Sequence, residues 1–476
     1  MKPFVDRLFN AEKIRNRIGD LGPLPANREI LGETIRVALP AVAETFLVAI
    51  VSMVDTYMVS GLEDAAQGLE RGYAVAAVGL TNQPRFVFLA VFLALNIAVS
   101  ALVARRRGEG KMDQAQKILQ QAFIITVGLS VLLGAAAIAL AGPAMGLMGA
   151  QPDTYADAVT YFRILMAGLP FNTAMMVINA AQRGAGKTRI SLTTSLVANV
   201  VNVCFNYLLI EGNLGFPRLK VAGAAIATVI GLCAACVMAF ISVSRKSSVL
   251  KLFKGLRLKL DREILKSMLN LSLPTLGEQL VTRAGFLMYF IIIGSLGTTA
   301  QTAHFIGMNF ITISFSFADG LSAAAIALVG RRLGEKRGDL ALVYSSVCQR
   351  LGLCCSFLVA LIYIPFGRLL YMGFSDNPDV HRFGEQIMLV ISVIVFIQIT
   401  MVIFVSCLRA AGDARYVMVL NLISIGTVRW IMAYLLCYPV GLGLVGAWLG
   451  MTIDQTLRLV LSYLRYRKGK WVSIRI

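Results

Sequence analysis

Apolar residues run along this 476-residue chain in long uninterrupted blocks, without the two-residue alternation of a half-buried strand. Twelve blocks approach the roughly 20 residues that a bilayer crossing needs. They lie near residues 37–60, 80–104, 116–141, 159–182, 190–210, 222–243, 267–295, 305–330, 343–367, 386–408, 416–437 and 441–464. Inside a bilayer no water is present to bond the backbone, so non-alternating spans of this length are expected to be helices. The pattern predicts an all-α integral membrane protein with twelve transmembrane helices.

Composition agrees with that reading, and charge gives it a direction. The chain is 57% hydrophobic and 15% charged, with a mean hydropathy of +0.73. A formal charge of +19 would point to nucleic acid in a soluble protein. In a membrane protein the location of the charge matters more than its sum. With a cytoplasmic N-terminus, the inner segments 1–36, 105–117, 183–189, 244–266, 331–337, 409–415 and 465–476 carry 7, 5, 3, 8, 4, 2 and 5 basic residues, 34 of the chain's 45. The outer loops carry acids instead: Glu63, Asp64, Glu70, Asp153 and Asp157. Both termini are therefore expected in the cytoplasm, the partner is the lipid bilayer, and no nucleic acid is expected. The expected organisation is a cytoplasmic segment 1–36, a first lobe 37–243, a basic linker 244–266, a second lobe 267–464 and a basic tail 465–476. Residues 1–36 lack the apolar core of a cleavable signal. Phe4, Val5, Leu8, Phe9 and Ile18, set among basic residues, suit either an amphipathic surface helix or an ordinary tail.

Reactive chemistry is sparse. Two histidines, His304 and His381, are too few for a histidine metal site, and the eight cysteines form no ligand cluster. Neither a metal centre nor a nucleophile–base pair is suggested, which disfavours a membrane-embedded enzyme. The 19 Met, 25 Phe and 14 Tyr suit either a shape-tolerant cavity or a lipid-facing surface.

One stretch imitates a nucleotide loop. In "QRGAGKTR" (182–189), Gly186, Lys187 and Thr188 match the end of a phosphate-binding motif, but the first glycine is replaced by Ala181. An apolar span precedes it where such a loop needs a strand. It reads as a cytoplasmic turn between spans 4 and 5, and no nucleotide is expected.

The chain is duplicated. "ALVARRRGEGKMD" (101–113) and "ALVGRRLGEKRGD" (327–339) share eight of thirteen positions at an offset of 226. The same offset pairs "RGAGKTR" (183–189) with "RAAGDAR" (409–415), so that Lys187 faces Asp413. "LPAVAE" (39–44) pairs with "LPTLGE" (273–278) at offset 234, and a longer outer loop near 61–72 accounts for the difference. Six spans per repeat keep both repeats in one orientation, which makes them parallel repeats. Two such bundles suit an alternating-access carrier better than a channel, since no pore-loop segment is visible.

From about residue 30 to 470 the chain resembles the multidrug and toxic compound extrusion (MATE) transporters. The resemblance rests on "LPAVAETFLVAIVSMVDTYMVSGL" (39–62), "RGAGKTR", "NVCFNYLLI" (202–210), "VAGAAIATV" (221–229), "LRAAGDAR" (408–415) and "VGAWLGMTIDQTLRLVLSYLRYRKGKW" (445–471), in that order and spacing. It implies a V-shaped arrangement of two six-helix lobes. It also implies export of small organic compounds, often cationic and amphipathic, by antiport with H+ or Na+, with no other cofactor. A plasma membrane location, in a bacterium the inner membrane, and a monomer are expected. The nearest rival is a lipid-linked oligosaccharide flippase, which would be expected to show a strongly cationic cavity.

Ionisable residues inside spans are costly and draw attention to function. At 1.5 Å per residue, Asp55 lies about 28 Å up span 1 and Asn206 about 26 Å up span 5, with Asn202 one turn below. Thr228 sits about 10 Å from the outer end of span 6. These four oxygen-bearing side chains reach similar depth and form a candidate site for Na+ or for a proton on Asp55. They resemble the family's first-lobe cation site: an Asp, an Asn-x-x-x-(Asp or Asn) pair and a Thr. Asn206 stands where some members carry a second Asp, which leaves one charge fewer for Na+. In the second lobe Glu278, Asp319, Arg429 and Asp454 reach about 17–21 Å depth and are expected to meet as one group. Their summed charge of −2 leaves room for a proton or cation. Glu44, the repeat mate of Glu278, and Arg283 are candidate substrate-cleft residues. The acidic positions that some members use on spans 7 and 10 are absent, with Thr282, Gln398 and Thr400 in those places.

Overall fold

The computed structural model describes residues 11–15, 22–60, 73–148, 152–245, 248–253, 261–373 and 378–474. The outer loop 61–72, residues 1–10 and 16–21 of the N-terminal segment and part of the basic linker fall outside them, so the expectation for Phe4, Val5, Leu8, Phe9 and Ile18 lies outside the described residues. Every regular element among the described residues is a helix, with no strand. We label the long helices α1 (Asn27–Ser60), α2 (Tyr73–Gly108), α3 (Met112–Ala139), α4 (Pro152–Ala167), α5 (Leu169–Gly184), α6 (Thr188–Leu209), α7 (Lys220–Ser244), α8 (Arg262–Gly294), α9 (Thr298–Gly334), α10 (Gly338–Met372), α11 (Pro378–Ala411), α12 (Ala414–Ile423), α13 (Arg429–Cys437) and α14 (Gly443–Arg467).

Every predicted span coincides with a helix, and two spans are interrupted. The fourth is a pair, α4 and α5, bent by 47°. The eleventh contains a π-helical turn, Ser424–Val428, between α12 and α13. Ten helices among the described residues are long and apolar enough to cross a membrane, or eleven with the bent pair taken as one span. The twelfth, α14, is less apolar because it carries Asp454, Gln455 and Arg458. All three are buried, so its polar face packs on protein.

Packing contacts divide the chain into two compact units. The first comprises Met1–Thr45, Ala104–Gly110 and Leu269–Ile476; the second comprises Phe46–Val103 and Lys111–Met268. These boundaries differ from the predicted lobes. The first half of α1 belongs to the first unit because its side chains are bonded there. Thr45 Oγ1 donates to the Ser316 carbonyl at 2.6 Å, and Glu33 pairs with Arg331 and Arg332 at 3.1 and 2.6 Å. Hydropathy marks where a helix crosses the bilayer but not which neighbour it packs against.

The duplication is visible in backbone detail. In the "QRGAGKTR" turn the Lys187 and Gly186 amides donate to the Gln182 and Arg183 carbonyls, both at 2.8 Å. At offset 226, the Asp413 and Gly412 amides donate to the Leu408 and Arg409 carbonyls at 2.9 and 3.0 Å. Gly186 (φ 70°) and Gly412 (φ 98°) take the left-handed conformation that ends each helix. The stretch is thus a helix cap with a helix on either side.

A second pair of repeat mates meets face to face within the first unit. A Cβ on Gly108 would fall 1.9 Å from the Arg331 carbonyl oxygen, and one on Gly334 would fall 2.1 Å from that of Arg105. Each glycine lets its own helix end approach the other's backbone. Small residues bring helices together in the same way elsewhere: Gly184 against the Ser100 carbonyl, Gly223 against Leu209, and Gly446 against Leu436.

Candidate ion-coupling and substrate sites

In the second unit, α1, α6 and α7 bring the four predicted first-lobe residues together. Asn206 Nδ2 donates to Asp55 Oδ1 at 2.7 Å. With its amide nitrogen turned toward Asp55, Asn202 donates to both carboxylate oxygens, at 2.7 and 3.2 Å, and its oxygen lies 3.2 Å from Thr228 Oγ1. The Thr228 hydroxyl also donates to the Ala224 carbonyl at 2.9 Å, back along its own helix. Asn202 and Asn206 are buried, and Asp55 is half-buried. Their spacing of four residues puts both amides on one face of α6. Gly231 holds α7 close, since a Cβ there would fall 2.5 Å from the Ala198 carbonyl and 3.1 Å from Asn202 Cβ.

Two further features shape this site. Asn206 Oδ1 is buried with no hydrogen-bond partner, so one acceptor stands beside the carboxylate. Arg85 of α2 lies within electrostatic reach of Asp55 and was not anticipated from the sequence. Val59, one turn beyond Asp55 on α1, belongs to a buried apolar cluster with Phe162, Ile210 and Val221.

The second-lobe residues, all in the first unit, divide into two groups instead of one. Asp454 accepts from Arg429 Nε and Nη2 at 2.8 and 2.6 Å and from Arg458 Nη2 at 3.2 Å. The Ser424 hydroxyl at the π-helical turn donates to the same carboxylate. Asp454 and Arg429 are fully buried, and the Arg429 guanidinium lies 4.5 Å from the centre of the Phe286 ring. Glu278 pairs with Arg409, not with Arg429. Asp319 is exposed on α9, with Arg409 within electrostatic reach. Arg458 lies within reach of Glu278 and links the two groups.

The expected surplus of −2 therefore disappears. Three carboxylates, Glu278, Asp319 and Asp454, stand with three guanidinium groups, Arg409, Arg429 and Arg458. Arg458 was legible as the i+4 partner of Asp454. Arg409 was hidden because it was counted as a cytoplasmic turn residue. Depth along a helix says nothing about which way a side chain points, so depth alone merged the two groups. Glu44 is buried on α1, and Arg283 is half-buried on α8.

On α9 the exposed residues Asn309, Thr312 and Asp319 recur at helical spacing, with the buried Ser316 in the same register. On α10, by contrast, Leu353, Phe357, Leu358, Leu361 and Ile362 are exposed, as a lipid-facing surface requires. Among the described residues no three His, Cys, Asp or Glu side chains are arranged to hold a metal ion.

Duplicated apolar helices with buried charge networks define a polytopic membrane protein. The MatE family pattern matches residues 40–208 and 274–435, one stretch in each repeat, and the chain belongs to that family. It is similar to the probable multidrug resistance protein NorM of Thermotoga maritima, 28% identical over 93% of each chain. It is also similar to the multidrug resistance protein MdtK of Yersinia pestis, 25% identical over 78% of this chain and 83% of that one. Among solved structures, a MOP superfamily transporter from Pyrococcus furiosus superposes with a TM-score of 0.85 at 18% identity, covering 97% of this chain and 98% of its own. The fold is that of the MATE transporters.

Proposed function

We propose that this chain exports organic cations in exchange for protons, with Asp55 as the proton carrier. The observation that carries the reading is the pair of amides around Asp55. Both Asn202 and Asn206 can present a nitrogen to its carboxylate at 2.7 Å. Turned over, the Asn202 amide offers its oxygen at the same place and accepts from a protonated Asp55. One site thus serves both protonation states with a single amide rotation. A sodium ion is less well served. It needs several converging oxygens, usually with more than one carboxylate, whereas Asp55 is the single carboxylate of the four and Arg85 adds a nearby positive charge.

The substrate reading rests on the multidrug names of the relatives and on Asp319. An exposed carboxylate in mid-span is costly against lipid, so it suits a hydrated passage that receives a cation. The basic inner segments support cytoplasmic termini in the plasma membrane. The test is efflux of a fluorescent organic cation from purified protein in vesicles. A pH gradient alone should drive it and a sodium gradient alone should not; the reverse pattern would refute proton coupling.

A further inference from the structure

We propose that the cytoplasmic corner of the second unit, between the α5–α6 turn and the end of α7, holds the phosphate head of an anionic phospholipid. The inference is independent of Asp55 and of the coupling ion. A cavity of about 360 Å³ opens there, lined by Gln182, Lys187, Ser242 and Arg245 among others, with no carboxylate among the described residues of its wall. Gln182 is 1% exposed, and neither its amide nitrogen nor its amide oxygen has a hydrogen-bond partner. A buried amide without partners costs free energy unless something in the cavity bonds it. Lys187 and Arg245 are the two charged residues of the wall, and both are cations. An anion with several acceptor oxygens can accept from Lys187, from Arg245 and from the Gln182 amide nitrogen at once.

The internal repeat supplies the comparison. At the mate of Lys187 the first unit has Asp413, which accepts from Arg465 Nε at 2.7 Å at the end of α14. Arg245 follows α7 directly, at the end of the first repeat's sixth span. One repeat closes its corner with an ion pair. The other sets two cations around a cavity, and their repulsion is relieved by a bound anion.

The apolar surroundings select the source of the phosphate. Beside the cavity lies a second hollow lined by Val237, Phe240, Ile241, Ser244 and Arg245, so Ile241 and Arg245 belong to both. Val237, Phe240 and Ile241 stand at i, i+3 and i+4 on one face of α7. Val237 and Ile241 are 59% and 47% exposed. A cationic pocket at the inner end of a membrane helix, continuous with an apolar groove on that helix, matches a phospholipid head and its acyl chain. Free phosphate or a nucleotide would leave the groove unused.

The experiment measures thermal unfolding of the full chain in neutral detergent while phosphatidylglycerol, phosphatidylcholine, inorganic phosphate or ATP is titrated. Phosphatidylglycerol should raise Tm with saturation, and the other three should not. In Lys187→Gln/Arg245→Gln its half-saturating concentration should rise about tenfold or more, each basic residue near an anionic lipid being worth about 1 kcal/mol. In Arg189→Gln, on the same turn but outside the cavity wall, it should not change. Lys187→Asp should recreate the ion pair of the other repeat, keep the basal Tm and lose the lipid response. The proposal is overturned if phosphatidylcholine stabilises equally, if inorganic phosphate or ATP reproduces the effect, or if the double variant responds like the unmodified chain.

Discussion

At Asp454 two guanidinium groups and a serine hydroxyl converge on one fully buried carboxylate. Removing one member of a buried ion pair typically costs about 3–5 kcal/mol, because the partner charge is left without compensation. The two ends of this network should respond differently. Asp454→Asn strands two arginines, whereas Arg429→Gln leaves Asp454 with Arg458. Asp454→Asn is therefore expected to cost about 3–5 kcal/mol of unfolding free energy and Arg429→Gln clearly less. The double variant should lie closer to Arg429→Gln than additivity allows. Thermal unfolding of the purified variants in detergent measures this, and equal or additive losses would show that the groups act separately. The residue identities here were legible in the sequence, since ionisable groups inside spans are conspicuous. Their pairing was not, because Glu278 chooses Arg409 through side-chain direction, which a count along the helix does not carry.

At the scale of elements, the twelve spans were legible because hydropathy is a one-dimensional property. The interruptions at Gly168 and at Ser424–Val428 were not. Hydropathy summed along an apolar run passes over both, although Gly168 and Pro170 mark the first break locally. The glycine contact between the ends of α2 and α9 was half legible. The repeat marked Gly108 and Gly334 as mates, but only packing shows that each rests on the other's partner carbonyl. Either Gly→Ala change forces two backbones apart. Each single variant should lose about 1–3 kcal/mol or more, as overpacked sites do. Gly79→Ala, on α2 with nothing near its Cβ, should cost no stability. Comparing Tm across the three variants tests this, and wild-type values for Gly108→Ala and Gly334→Ala would refute the close contact. The polar face of α9 gives a second expectation. Cysteine at Asn309 or Thr312 should react with a membrane-impermeant thiol reagent well above the background of the eight native cysteines. Cysteine at Leu358 of α10 should not, and equal reactivity at all three would remove the hydrated passage.

For the whole molecule, duplication is the organising fact. The two repeats retain the same helix cap at 182–187 and 408–413, while the chemistry inside them has diverged. One unit keeps a lone carboxylate among amides, and the other a charge-balanced set of six ionisable groups. A balanced set has no net charge to exchange with an ion, so it is poorly suited to coupling, while its exposed member Asp319 can still receive a substrate cation. A lone carboxylate can change its charge by one unit, and in a low-dielectric setting that change can shift which conformation is favoured. Asp55 is thus the residue on which coupling should depend. The most direct test is Asp55→Asn in vesicles, with efflux of a fluorescent cation driven by a pH gradient and cation binding measured on the same preparation. The account predicts a folded protein that binds the cation but shows no gradient-driven efflux; wild-type efflux from Asp55→Asn would contradict it.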